Sequence, residues 1–257
     1  MNAMKSVVSA SFCLAATLAA GVAGAESRTV GDVDGLFAAV ADASVVEVVL
    51  TAKTYEIAEP LRLKRAVTVR SESGVPEDVI IHQTTTSVNT SSDETGQLGR
   101  CFYIDHAQAF VSGLTIENGN CSDNSKGRAG GGGVGMYGGL VTHCVISNNA
   151  SHTNKGGAGA YVDGGTLANS LVTGNAFNGG GASDNGGVVS VQKGRVLNCT
   201  IAGNKSDFSC ACAPDGRVVA VLVNWTRKPQ PYELKTPDLT ISGTLSPRGW
   251  QCVERAK

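Results

Sequence analysis

The chain has 257 residues, of which 17% are charged, and a formal net charge of −1. It has no basic cluster and only 5% aromatic residues, which makes nucleic acid a poor partner, since that needs a positive footprint and stacking platforms. The length suits one domain, and the 33 glycines fall largely in repeated segments rather than in a low-complexity tract.

Residues 1–25 place Lys5 before an apolar run that ends in Ala23-Gly24-Ala25. A charged start, a short apolar stretch and a small-residue site make a secretory signal peptide, with cleavage expected after Ala25. The run is too short and too rich in alanine for a membrane span. No Cys follows the site, as lipoprotein processing would need. Loss of Lys5 takes the net charge to −2. No second long apolar segment follows, so the mature chain is expected to be soluble, without a membrane span. The expected location is secreted, periplasmic or cell-surface.

Residues 26–99 read as the N-terminal cap and leading coils of a stack. Asp32–Ala43 predicts a short amphipathic helix with Val33, Leu36, Phe37 and Val40 on one face. Strands are expected at Val45–Leu50, Tyr55–Ile57, Leu61–Leu63, Ala66–Arg70 and Val79–His82, with a turn at Gly74 and Pro76. Thr84–Gly99 is polar, rich in Thr and Ser, and reads as a protruding loop.

Residues 100–208 repeat themselves. The blocks RCFYIDHAQAFVSGLTIENGN (100–120), GGGGVGMYGGLVTHCVISNNA (130–150), GGAGAYVDGGTLANSLVTGNA (156–176) and NGGVVSVQKGRVLNCTIAGNK (185–205) align without gaps. A period near 26–30 residues marks a stacked array. Apolar columns run down the alignment: Ile104, Val134, Ala160, Val189; Val111, Val141, Leu167, Val196; and Ile116, Ile146, Val172, Ile201. The small-residue column Leu114, Cys144, Ser170, Cys199 lies two positions before the last of these, on the same strand face. Each coil would bury its apolar face only against its neighbours.

Gly119, Asn149, Asn175 and Asn204 form another column, read as a structural ladder of turn residues whose amides bond from coil to coil. Gly113, His143, Asn169 and Asn198 read the same way, which makes His143 structural. Blocks rich in Gly, Val, Ser and Asn favour short strands and turns over helices, and the period leaves room for about three short strands per coil. The pattern predicts an all-β parallel β-helix, a solenoid with a short N-terminal capping helix. Spacers of nine, five and eight residues map to loops on one side.

Residues 209–257 read as a degraded last coil or an irregular C-terminal cap. Val218–Val223 and Leu239–Ser242 are expected as strands of one more coil, with Leu239 and Ile241 facing inward. Five of the seven prolines follow Ala213, and proline keeps to edges and turns of sheets. A truncated or frame-shifted end is the alternative. No amphipathic β-barrel pattern closes the chain.

The stretch TAKTYEIAEPLRLKRAVTVRSESGVPEDVIIHQ (51–83) resembles the leading coils of secreted bacterial right-handed parallel β-helix proteins. The GGGV starts and CVISNN, GNA or GNK ends of the blocks are similar too. The resemblance covers about residues 30–205 and implies a right-handed, pectate-lyase-like fold. A weaker resemblance, to polymorphic outer-membrane protein repeats, rests on Gly156-Gly157-Ala158 and lacks the matching Phe-x-x-Asn.

Because pectin-active enzymes share that fold, the blocks were read for their chemistry. A glycoside hydrolase needs carboxylates that converge on one face. Asp105, Glu117 and Asp163 are the block carboxylates, and the gap-free alignment puts them in different columns. Arg100, Lys193 and Arg195 lack clustered acidic partners of the kind a calcium-dependent lyase uses. The Asp-Asp, Gly-His-Gly and Arg-x-Lys signatures of polygalacturonases are absent from the blocks, and Asp105-His106 reads as a surface turn.

Seven cysteines remain after Cys13 leaves with the signal. Cys144 and Cys199 share a column two coils apart, about 9.6 Å, which is beyond disulfide reach. They read as small buried hydrophobes. Cys210, Cys212 and Cys252 lack the spacing of a zinc site. Six Asn-x-Ser/Thr sequons, at Asn89, Asn120, Asn149, Asn198, Asn204 and Asn224, fall largely in the repeat columns and reflect turn chemistry.

The reading is therefore a secreted or cell-surface, adhesin-like β-helix protein with a structural, adhesive or glycan-contacting role. It carries no catalytic, cofactor or metal residues, and its expected partners are extracellular glycans or cell-surface components. The alternative is a carbohydrate-active lyase or hydrolase of the same fold. Contacts are expected at Thr84–Gly99 and at the spacer loops Cys121–Ala129 and Ala176–Asp184.

Overall fold

The computed structural model describes residues 25–85, 99–121, 130–152, 156–177, 187–205, 218–223, 229–236, 239–245 and 250–255. The expected signal peptide up to Gly24, Cys210, Cys212 and most of the three proposed contact loops lie outside the described residues. Within them the protein is mostly β, built from parallel sheets.

The helix spans Val33–Ala41 and buries Leu36, Ala39 and Val40. Asp32 caps it, accepting a hydrogen bond from the Gly35 amide at 2.7 Å. Arg65 closes its other end. The guanidinium donates to the carbonyls of Ala39 (3.2 Å), Val40 (2.9 Å) and Asp42 (2.7 Å), which the last turn leaves without intrahelical partners, and to that of Val45 (2.6 Å) beyond the helix. This fork ties the helix to the start of the sheets.

The first sheet joins Glu26–Val30, Val45–Leu50, Thr68–Ser71, Phe110–Ser112, Val134–Thr142, Ala160–Ala168 and Val189–Val191. Leu61–Leu63, Phe102–Ile104 and Arg195–Leu197 pair alongside. The second sheet stacks Lys53–Ile57, Val79–Gln83, Thr115–Glu117, Val145–Ser147, Leu171–Thr173 and Thr200–Ala202. A third joins Asn120–Cys121, Ala150–Ser151 and Ala176–Phe177. Every pairing in these three sheets is parallel.

The expected apolar columns pair strand by strand. Tyr55, Ile81, Ile116, Ile146, Val172 and Ile201 are successive partners. So are Val48, Val69, Val111, Val141, Leu167 and Val196. All of these are fully buried except Val196 and Ile201, which pack against the core while partly buried.

One column needs correcting. Val134 pairs with Phe102, not Ile104, and Ile104 pairs with Met136. Block one therefore runs two residues ahead in its first strand. The cause is the corner. Five residues, Asp105–Ala109, separate Ile104 from Phe110, and three, Tyr137–Gly139, separate Met136 from Leu140. The tighter corner uses Gly139 (φ 75°) and its stacked counterpart Gly165 (φ 72°). A Cβ on Gly165 would sit 2.3 Å from the Gly139 carbonyl oxygen, so the two backbones approach as only glycine permits.

The tail departs from expectation. Val218–Val223 pairs antiparallel with Trp250–Arg255, and Gln230–Thr236 pairs antiparallel with Leu239–Leu245. These strands do not form the expected parallel coil. Only two residues separate Thr236 from Leu239, and so short a link joins antiparallel strands alone.

Candidate functional site

The positive-φ turn column is as expected. Gly113 (69°), His143 (52°), Asn169 (45°) and Asn198 (51°) are all left-handed, and His143 is an exposed turn residue. A second left-handed column, Asn118, Asn148, Gly174 and Gly203, closes the four second-sheet strands of the repeat blocks. It lies one residue before the Asn149 column, so that column is not itself the turn.

The Asn149 column is an amide ladder. Asn149 Oδ1 accepts from the Gly119 amide (2.8 Å), Asn175 Oδ1 from the Asn149 amide (3.0 Å), and Asn204 Oδ1 from the Asn175 amide (2.9 Å). Each Nδ2 donates to a strand carbonyl: Asn149 to Ile116, Asn175 to Ile146 and Asn204 to Val172. Asn149 is 1% exposed, which rules it out as a glycosylation acceptor.

The cysteines behave as packing residues. Cys101, Cys121, Cys144 and Cys199 are unbridged. Cys144 is buried, whereas Cys199 is only half-buried. Ser170 lies between them, its hydroxyl accepting from the Cys144 amide at 3.1 Å. Burial pushes the Cys144 thiol up to about 12, so the reactive thiolate is suppressed at neutral pH. Cys144 is expected to resist alkylation in the folded protein and to react fully in denaturant. Peptide mapping with and without denaturant checks this, and a Cys144–Cys199 bridge would refute the register.

The outer face of the first sheet carries the densest chemistry among the described residues. Tyr103, Tyr137 and Tyr161 form a ladder, with ring centroids 5.3 Å apart for the first pair and 6.0 Å for the second. Gly135 pairs with both Tyr103 and Tyr161. Lacking a side chain, it leaves room for the Arg100 guanidinium, whose Nη1 lies 2.4 Å from where a Cβ would stand. That guanidinium reaches over the Tyr103 ring, 5.7 Å from its centroid. Tyr103 and Tyr161 are buried, and Tyr137 is the half-exposed ring of the three. Burial, then Asp163 and Tyr137, push the Tyr161 phenol up to about 12, so it stays protonated and is no base at neutral pH.

Two carboxylates lie at the outer rings of the ladder, Asp105 at Tyr103 and Asp163 near Tyr161. Asp105 accepts from the Tyr103 hydroxyl at 3.0 Å. Asp163 lies 3.6 Å from the Lys193 ammonium. Asp105 follows Ile104, Tyr137 follows Met136 and Asp163 follows Val162, and those three predecessors are successive partners. The pairing does not continue in step past them: Tyr137 pairs with Gly164 across a register shift, which leaves Asp163 as a bulge, so the two aspartates and Tyr137 do not form one row. Lys193 has an acidic partner that the alignment did not suggest. Lys64 lies at the near end, 6.0 Å over the Tyr103 ring.

Glu117 belongs elsewhere, as expected. It lies on the second sheet, with its Oε1 2.9 Å from Nδ1 of His82, its strand partner. Nothing in the sequence singled out His82. Asp105-His106 is a turn: His106 Nδ1 accepts from the Gln108 amide at 3.1 Å, and its carbonyl from the Ala109 amide.

No family model, curated protein or solved structure matches this chain. Its chemistry therefore rests on its own geometry. Among the described residues, no group of three or more His, Cys, Asp or Glu is placed to hold a metal ion. No helix among them is long and apolar enough to cross a membrane.

Proposed function

We propose that this protein is a secreted or cell-surface, right-handed parallel β-helix that contacts glycans without turning them over. Three parallel sheets with strand partners one block apart support the β-helix reading. The helix Val33–Ala41 caps its start. The signal-peptide pattern of residues 1–25 supports export.

One observation carries the glycan reading: the half-exposed Tyr137 ring stands between the rings of Tyr103 and Tyr161, with Asp105 bonded to the Tyr103 hydroxyl and Asp163 near Tyr161. An aromatic face packs against the C–H face of a pyranose, and carboxylates accept hydrogen bonds from its hydroxyls. The ladder is held rigidly by the sheet beneath, so the site is preorganised.

The same two carboxylates favour a second reading, a carbohydrate-active enzyme, since glycosidases work with a pair of carboxyl groups on one face. Their present partners argue against this: Asp105 accepts from the Tyr103 hydroxyl, and Asp163 lies 3.6 Å from the Lys193 ammonium. A glycan-array screen run beside assays for reducing ends and unsaturated uronides tests the choice. Binding without turnover is the expected result. Turnover abolished by Asp105→Ala or Asp163→Ala would establish the enzyme instead.

A further inference from the structure

We infer that the last coil of the stack is a docking surface, and that the antiparallel ribbon of Val218–Val223 and Trp250–Arg255 is the segment that covers it. Exposure changes abruptly along the inward columns. Leu167, Ser170 and Val172 are 0%, 4% and 0% exposed. Their counterparts one coil on, Val196, Cys199 and Ile201, are only half-buried. Leu197, at the end of its strand, is 51% exposed. Each coil buries its inward residues between the coil before it and the coil after it. Among the described residues, no strand pairs with the far side of Val189–Val191, Arg195–Leu197 or Thr200–Ala202. This end therefore presents apolar side chains together with open strand edges, which a folded chain has to cover. The opposite end is closed by the helix Val33–Ala41, which buries Leu36, Ala39 and Val40.

The ribbon has the matching need. Val218–Val223 reads VVAVLV, apolar at all six positions. Successive residues of a strand face opposite ways, so neither face of this strand is polar. It pairs only with Trp250–Arg255, in a sheet of two strands, and an isolated pair of strands is at best marginally stable in water. Residues 206–217 link the last coil to the ribbon, and a link of that length reaches roughly 40 Å, ample to return onto the coil it leaves. A second copy of the chain fits the same surface less well. Lys193, Arg195 and Lys205 are exposed on the last coil, and residues 187–205 contain no carboxylate. Two such ends brought face to face would set cations against cations.

The test follows Cys199 in the full chain by maleimide labelling and peptide mapping, with Cys144 as the internal control. Cys144 occupies the same column two coils earlier and is 2% exposed. In the unaltered protein Cys199 should react slowly, at a rate that does not change with protein concentration. Val221→Asp places a charge in the ribbon and should speed the labelling of Cys199 about tenfold while Cys144 stays protected. Hydrogen exchange on the unaltered chain supplies a measurement that needs no variant. The amides of Val218–Val223 should exchange on the order of a hundredfold more slowly than in an unprotected peptide, as docking requires and a free pair of strands would not give. Unprotected ribbon amides would overturn the inference. So would Cys199 labelling that Val221→Asp leaves unchanged, which would place the ribbon elsewhere. Cys199 protection that fades on dilution would give the surface to a second copy instead. If Val221→Asp exposes Cys144 as well, the whole chain has unfolded and the ribbon amides of the unaltered protein decide.

Discussion

Ile146→Asp is expected to abolish folding. Ile146 is fully buried, between its strand partners Ile116 and Val172. A carboxylate there must shed its water with no counter-charge in the column, or stay protonated at a cost. The expected loss is on the order of 5 kcal/mol, comparable with the whole stability of a typical domain. Insoluble expression, or a far-UV circular dichroism spectrum without its strand signal, is the predicted outcome. Leu171→Asp is the control. Leu171 pairs with Val145 in the neighbouring strand but faces outward and is 37% exposed, so its variant should melt within a few degrees of the parent. Equal tolerance of the two changes would refute the inward assignment.

Asn175→Ala should be the most damaging of the amide-ladder substitutions. Asn175 Oδ1 accepts from both the amide and the Nδ2 of Asn149, each at 3.0 Å. Its Nδ2 donates to the carbonyls of Ile146 (2.9 Å) and Thr173 (3.0 Å). Alanine removes these contacts from groups in the buried interior, where each orphaned group costs roughly 1–3 kcal/mol. We expect a loss of about 3 kcal/mol, read from urea unfolding. Asn204→Ala, at a half-buried rung, should cost about 1 kcal/mol. Asn175→Asp should also destabilise, since a carboxylate cannot donate to Ile146. Equal stability of the parent and Asn175→Ala would mean that the ladder contributes nothing beyond turn geometry.

Much of the architecture was legible in the residues because burial is written into period-two patterns. Ile116, Ile146, Val172 and Ile201 could be aligned before any pairing was known, and they are partners in that order. The left-handed turns were legible as well, since Gly and Asn are the residues that tolerate positive φ. The Asn149 column was legible for the same compositional reason. Whether its amides serve turns or a ladder depended on which residue carries the positive φ, and that residue is its neighbour Asn148. The two-residue strands Asn120–Cys121, Ala150–Ser151 and Ala176–Phe177 left no pattern to read, because two residues show no periodicity.

By itself, then, the sequence determined the parallel stacking of the blocks and most of their buried columns. Those depend on side-chain polarity repeated at a fixed interval. Only the tertiary structure decided the register of block one, the antiparallel pairing of the tail and the ladder that unites Tyr103, Tyr137 and Tyr161. Each of these depends on the length of a corner or link. A corner built from Asp105–Ala109 takes two residues more than one built on Gly139, and no residue pattern within the strands reveals that. The tyrosine ladder lies beside that corner, so a slip that leaves most of the core unchanged is enough to conceal it.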